Sequence, residues 1–356
     1  MELTRNDTKI LKGIAIMFMV MLHLFARKEV DGLYVTFPTI HGVPFVYYLG
    51  LLGDACPPIY MFVTGYAFYL IMDKAPKGMT RQNLTRIFKL YLNYWVIMAI
   101  FVPLGFLFGY GEPFTGGMAR FFLDFIGWNN SYNGAWWFLR VYVIIVLASP
   151  FLIKLVKKIH PVVLLLLSGA VYFVSYLQKV KGIIQIGGEA DHVLLLVALL
   201  GITQLSFFVG AVFAKYSLYS RLYAQLGSIR FKNTLCVFGI CLLVVFHSII
   251  ESAIIAPING IAFICLFLLM NKSKGIVKVL DFLGHHSTNI WLTHMFFYQT
   301  IFVELTFFPK HPVLIFLWLI ALCTAVSFPI QKILKVLYKA MDKRPGVSPV
   351  QAEQAA

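Results

Sequence analysis

The sequence is short of charge, and shortest of acid. Charged residues make up 13% of its 356 positions, with 15 Asp and Glu against 30 Lys and Arg, while apolar residues reach 60%. A soluble domain of this length is not covered with so little charge. The apolar residues fall in long runs parted by short polar pieces, so the chain reads as an integral membrane protein. Cysteine is scarce too: Cys56, Cys236, Cys241, Cys265 and Cys323 all fall in apolar runs. None stands in a CxxC or at His-rich ligand spacing, which implies neither a disulfide framework nor a metal site. There is no obvious repeat of fixed period, no low-complexity tract and no soluble domain. No small-residue cleavage site follows the first apolar run, which reads as a retained span rather than a signal peptide.

What is present is a series of spans. Ten are expected, at about 10–26, 45–72, 87–110, 134–153, 161–178, 192–214, 233–250, 253–270, 288–308 and 312–338. The fold class is therefore an all-α, polytopic membrane helix bundle of about ten transmembrane helices, filling residues 1–340, with a short polar and flexible tail at 341–356. With the N-terminus inside, the outer side receives only Arg27, Lys28, Arg120, Lys179, Lys181 and Lys310. Arg140 lies within a span, and every other Lys and Arg falls on the inner side. The positive-inside rule then puts both termini in the cytoplasm of a bacterial plasma membrane. The net charge of +15 follows from that asymmetry and from anionic inner-leaflet lipid, and is no argument for nucleic acid.

Polar residues in and beside the spans carry the functional signal. Lys12 and His23 lie eleven positions apart in the first span, KGIAIMFMVMLHLF. On a helix that is about three turns, so both share a face, about 16 Å apart along the axis. An ionisable residue inside hydrocarbon is a functional candidate by default. In the first cytoplasmic loop Arg86 and Lys89, three apart on a helix face, precede Tyr91, Tyr94 and Trp95. From the loop alone the basic pair reads first as a positive-inside anchor with an aromatic belt, and it also suits a phosphorylated cytosolic ligand. Across the membrane, residues Gly111 to Trp136, rich in Gly, Asn and aromatics, read either as a carbohydrate-facing surface or as an interfacial loop. Trp136, Trp137 and Arg140 belong to that candidate acceptor site, with Asp54 and Glu251 the other acids at the bundle edge.

Five segments in order resemble the acyltransferase-3 family of bacterial membrane O-acyltransferases. They are the basic residue, ten positions and His of the first span, then IYMFVTGYAFYL, RIFKLYLNYW, WWFLRVYVIIVLASPFL and LGHHSTNIWLTHMFF. The family's patterns for the last four read close to FFxxSGF, RxxRIYPxYW, WFLxxLxxxYxxxPxL and GxxSxxIYLxH, and the match runs from about residue 9 to 338. The resemblance implies that His23 is the essential histidine and Lys12 its basic partner. It implies that Arg86, Lys89 and Tyr91 face the acyl-CoA, that Thr64 and Gly65 stand for the Ser-Gly pair, and that His294 is the late histidine; the GHHS stretch itself also offers His285 and His286 as phosphate or headgroup contacts. Lys89 replaces the second Arg of the pattern, Thr64 its Ser and Leu92 its Pro. Lys supplies a point charge where Arg supplies a fork.

The function so implied is transfer of an acetyl or other short acyl group from cytosolic acetyl-CoA to a hydroxyl of a cell-envelope or exported polysaccharide. No metal takes part. His23 acts either as general base or through an acyl-histidine. The partners are membrane lipid, acyl-CoA and a glycan or lipid-linked oligosaccharide. Oligomeric state is left open. The alternative, a multi-span transporter or flippase of a lipid-linked glycan, calls for paired halves with Gly/Pro-broken spans in matching places. Pro57, Pro58, Pro103, Pro150 and Pro257 do not fall so.

Overall fold

The computed structural model describes residues 3–74, 78–109 and 116–342. Among them the fold is helical apart from a two-residue antiparallel ribbon, Thr39–Ile40 (β1) with Val43–Pro44 (β2). The helices are α1 Arg5–Phe25, α2 Phe45–Leu51, α3 Cys56–Lys74, α4 Met79–Leu107, α5 Gly117–Phe125, α6 Trp137–Lys158, α7 Pro161–Lys181, α8 Glu189–Lys215, α9 Leu218–Leu226, α10 Lys232–Ile249, α11 Ala256–Leu269, α12 Lys274–Met295, α13 Val303–Phe307 and α14 Pro312–Asp342. A 3₁₀ turn, Leu52–Ala55, joins α2 to α3.

Among the described residues eight helical stretches are long and apolar enough to cross a membrane. They coincide with eight of the ten expected spans. The span expected at 253–270 is a shorter apolar helix, Ala253–Leu269. The one expected at 288–308 begins earlier, as α12, and ends in a π-helical turn, Phe296–Thr300. The expected tail lies outside the described residues apart from the end of α14.

The chain divides into two compact units. The first comprises Met1–Gly32, Thr36–Lys77 and Ala148–His285, the second Leu33–Val35, Gly78–Leu147 and His286–Ala356. In the first, glycines let helix backbones touch. A Cβ at Gly65 on α3 would strike the carbonyl oxygen of Phe207 on α8, and one at Gly210 on α8 would strike that of Phe62. Gly13 of α1 and Gly284 of α12 form the same reciprocal pair, against the carbonyls of Leu280 and Lys9. Where lipid tails remove the hydrophobic drive between helices, such close backbone packing supplies the attraction. α1 opens with a capping box: Asp7 N–H donates to Thr4 Oγ1 at 3.1 Å and Thr4 N–H to Asp7 Oδ2 at 2.9 Å. On α7 the large residues Val162, Leu166, Leu167 and Val174 are exposed, the apolar outer face that a lipid-facing helix presents.

In the second unit, the Asn83 side chain of α4 donates to the Val146 carbonyl of α6 at 2.8 Å, and Asn93 of α4 meets Asn289 of α12 at 2.6 Å. Farther along, Phe101 of α4 stacks on Phe296 of the π turn that continues α12, 4.6 Å between ring centroids. α4 and α12 thus run in the same direction. This sets the level of everything between them.

Candidate functional site

In the first unit α1 is unbroken from Arg5 to Phe25, so Lys12 and His23 do share a face at about 16 Å. Both are half-buried, whereas Ile16 and Met19, between them on that face, are buried. The Tyr60 hydroxyl approaches the Lys12 carbonyl at 3.5 Å, and Arg27 donates to the His23 carbonyl at 3.3 Å. The last turns of α1 are gripped by the segment around the 3₁₀ turn. Gly53 lies against the Phe18 carbonyl and Leu22, and Gly50 against Phe25 and Ala26. That grip brings the 3₁₀ turn and its Asp54 up to the His23 end of the helix.

Asp54 does not stand alone. Its Oδ2 lies 2.8 Å from Nε2 of His247, a residue 1% exposed, while Nδ1 of His247 lies 3.2 Å from the Ile250 carbonyl. A carbonyl only accepts, so Nδ1 carries a proton, and a second proton lies between Nε2 and the carboxylate. Asp54 Oδ1 is buried without a hydrogen-bond partner among the described residues. Nearby, Glu251 accepts from Lys28 at 2.6 Å and from the Tyr47 hydroxyl at 2.8 Å. These two contacts, the Lys28 one foremost, hold its carboxyl below the usual glutamate range. The Asp54–His247 pair joins residues 193 apart, and neither lies in a motif that would announce the other.

In the second unit Arg86 donates to Asn83 Oδ1 at 3.0 Å. Asn83 is itself buried and tied to α6 by its amide, so the guanidinium sits on an anchored acceptor. Lys89 places its ammonium 5.6 Å from the Tyr338 ring centroid. Tyr91 is turned about 140° from Arg86 around the helix, and its hydroxyl is spent elsewhere, on the Ile126 carbonyl at 2.9 Å.

That contact belongs to the largest departure from the sequence reading. The piece expected as an outer loop, Gly111 to Trp136, returns between the helices in its described part. Tyr91, Tyr94 and Trp95 of α4 donate to the carbonyls of Ile126, Asp124 and Phe125, and Arg140 donates to that of Trp128. Asn133 and Trp136 both donate to the Leu292 carbonyl of α12, at 3.0 Å each. The segment from Asp124 to Trp136 therefore lies level with the middle of α4, and α6 starts at that level. Irregular backbone is tolerated at that depth only when side chains satisfy its polar groups. Here four donors from α4 and α6 do so. The aromatic run read as a possible belt is a row of hydrogen-bond donors. Trp136, 2% exposed and packed edge-on to Tyr94 and Phe296, is core and offers no open sugar face; Trp137 is half-buried.

The late motif is also interior. Nδ1 of His294, which is fully buried, meets the Trp291 carbonyl of its own helix at 2.8 Å, and its ring stacks on Tyr298, just before the π turn. His286 is buried as well. Its Nδ1 lies 2.8 Å from Ser327 Oγ and 3.4 Å from the Gln331 amide nitrogen, and Asn289 donates to the same Ser327 at 2.7 Å.

A family model described as an acyltransferase domain matches residues 7–332. The chain belongs to this acyltransferase-3 family. No curated protein and no solved structure matches it. As a multi-pass membrane acyltransferase of this family, the protein uses some of its motif residues for architecture. Gly65 of the TG pair and Gly284 of GHHS are backbone contact points. Tyr94 and Trp95, in the third motif, hold up the inserted segment. Lys12 and His23 fall in one unit, and Arg86, Lys89 and His294 in the other.

Proposed function

We propose that the protein transfers an acetyl group from cytosolic acetyl-CoA to a hydroxyl of a cell-envelope or exported glycan, in a plasma membrane with both termini inside. The observation that carries the reading is His23, a half-buried imidazole sharing one face of an unbroken helix with Lys12 in a chain whose family is acyltransferase. Arg86 and Lys89 are the cations for the donor's phosphates, Arg86 being set by Asn83, and Lys12 is the basic partner of His23 within its own unit. Neutral His23 takes the proton of the acceptor hydroxyl, and the oxygen attacks the thioester carbonyl. The carbon–sulfur bond breaks, and the CoA thiolate leaves and is protonated. The acceptor class rests on the family.

The test is incorporation of label from radiolabelled acetyl-CoA into envelope glycans of membranes carrying wild-type protein or His23→Ala. Label should depend on His23, while the variant remains inserted and folded. Undiminished label in the variant would remove His23 from the chemistry. Arg86→Ala should raise the KM for acetyl-CoA more than that for the acceptor, and equal changes would make Arg86 structural.

A further inference from the structure

The hydrogen bonds around His286 have a direction. The Gln331 amide nitrogen faces His286 Nδ1 at 3.4 Å, the arrangement in which that ring nitrogen accepts. Ser327 has one proton and gives it to that nitrogen at 2.8 Å. The serine oxygen then accepts from Asn289 at 2.7 Å, and the Asn289 oxygen accepts from the Asn93 amide at 2.6 Å. Each polarity fixes the next. At the head of the chain the Asn93 carbonyl oxygen is left over, buried and without a hydrogen-bond partner among the described residues, on a side chain 9% exposed. A buried acceptor without a donor costs on the order of 1–3 kcal/mol, so an oxygen oriented by four further residues is built to meet a donor that arrives with a ligand.

Its position says which. Asn93 lies seven residues beyond Arg86 on α4, within about 20° of the same face and about 10 Å along the axis. A ligand with its phosphates at Arg86 and an uncharged tail running inward along α4 brings that tail past Asn93. The pantetheine arm of acyl-CoA is such a tail, and it carries two secondary amides. Taking them into an apolar bundle unpaired would cost several kcal/mol.

We propose that Asn93 accepts a hydrogen bond from an amide N–H of the pantetheine arm, with Asn289 as its positioning residue, so that the acyltransferase reads the arm of its donor as well as the phosphates. The proposal rests on the acyl-CoA reading above. It is tested by calorimetric titration of the protein in lipid nanodiscs with CoA and with an analogue in which both amide N–H groups are replaced by ester oxygens. Wild-type protein should bind the analogue about 5- to 10-fold more weakly, the loss of one such hydrogen bond. Asn93→Leu should bind the two alike, and Asn93→Asp, which keeps an acceptor oxygen, should still discriminate. Equal affinities in wild-type protein, or discrimination that survives in Asn93→Leu, would overturn the proposal while leaving CoA as donor. Failure of wild-type protein to bind CoA at all would remove the donor reading, and this proposal with it.

Discussion

The glycine crossings of the first unit and the inserted segment of the second solve one problem in opposite ways. Both bring backbone deep into a membrane bundle. At Gly65–Phe207 and Gly13–Leu280 side chains are removed so that two helices, each already hydrogen-bonded within itself, can touch. At Asp124–Trp136 the backbone is not helical enough to satisfy itself, and large side chains with donors, Tyr91, Tyr94, Trp95 and Arg140, are brought in to do it. The first tolerates no added atom and the second no lost donor. A motif glycine and a motif tyrosine are thus unchangeable for contrary reasons.

Substitutions that break each arrangement should separate the two. The largest effect is expected at Gly65→Leu, where a side chain must displace the Phe207 carbonyl. Overpacking of this kind costs about 3 kcal/mol, read as a lowered unfolding midpoint of the detergent-solubilised protein, and an unchanged midpoint would mean that α3 and α8 separate freely. Next comes Tyr94→Phe, which adds no bulk but leaves the buried Asp124 carbonyl with the Gly127 N–H alone, for about 1 kcal/mol. Hydrogen exchange should quicken between residues 123 and 136 in this variant and stay as it was around Gly65. Exchange that rose everywhere would show the segment to be no separate element. Smaller again, Asn83→Ala releases Arg86 from its anchor without removing the cation, so the KM for acetyl-CoA should rise about 2- to 10-fold, less than for Arg86→Ala. A larger effect than Arg86→Ala would move the anion site off Arg86.

The smallest lies at the surface. The Glu251 carboxyl is held below its usual value of 4.5 by Lys28 and Tyr47, so its stabilising contribution is present above that value and is lost as pH falls through the lowered one. Glu251→Gln should flatten the loss of thermal stability below about pH 4.5, with no change at neutral pH. An identical acid profile in both proteins would show that the contact does not stabilise the fold.

The spans were legible because hydrocarbon imposes length and apolarity on every one. Lys12 and His23 were legible because spacing on an uninterrupted helix fixes their common face. The inserted segment was not, since its Gly, Asn and Trp content is what a surface loop also shows. Only the partners of its carbonyls tell the two apart, and those partners sit on other helices. Nothing in the sequence marks out Asn83, whose role depends on the Val146 carbonyl of another helix. The Asp54–His247 pair and the string from Asn93 to His286 join residues 193 and 196 positions apart at their longest links, beyond the reach of any local pattern.

The anchoring of Asn133 and Trp136 on Leu292 has a consequence for biosynthesis. The ties span 159 and 156 residues. At about 5–20 residues per second, the ribosome needs on the order of 10–30 s after making Trp136 to deliver the carbonyl that secures it. Throughout that interval the half-built chain holds a polar segment secured by α4 and, once it is made, by Arg140 of α6, and this is the stage at which the nascent protein most needs shelter from the insertion machinery.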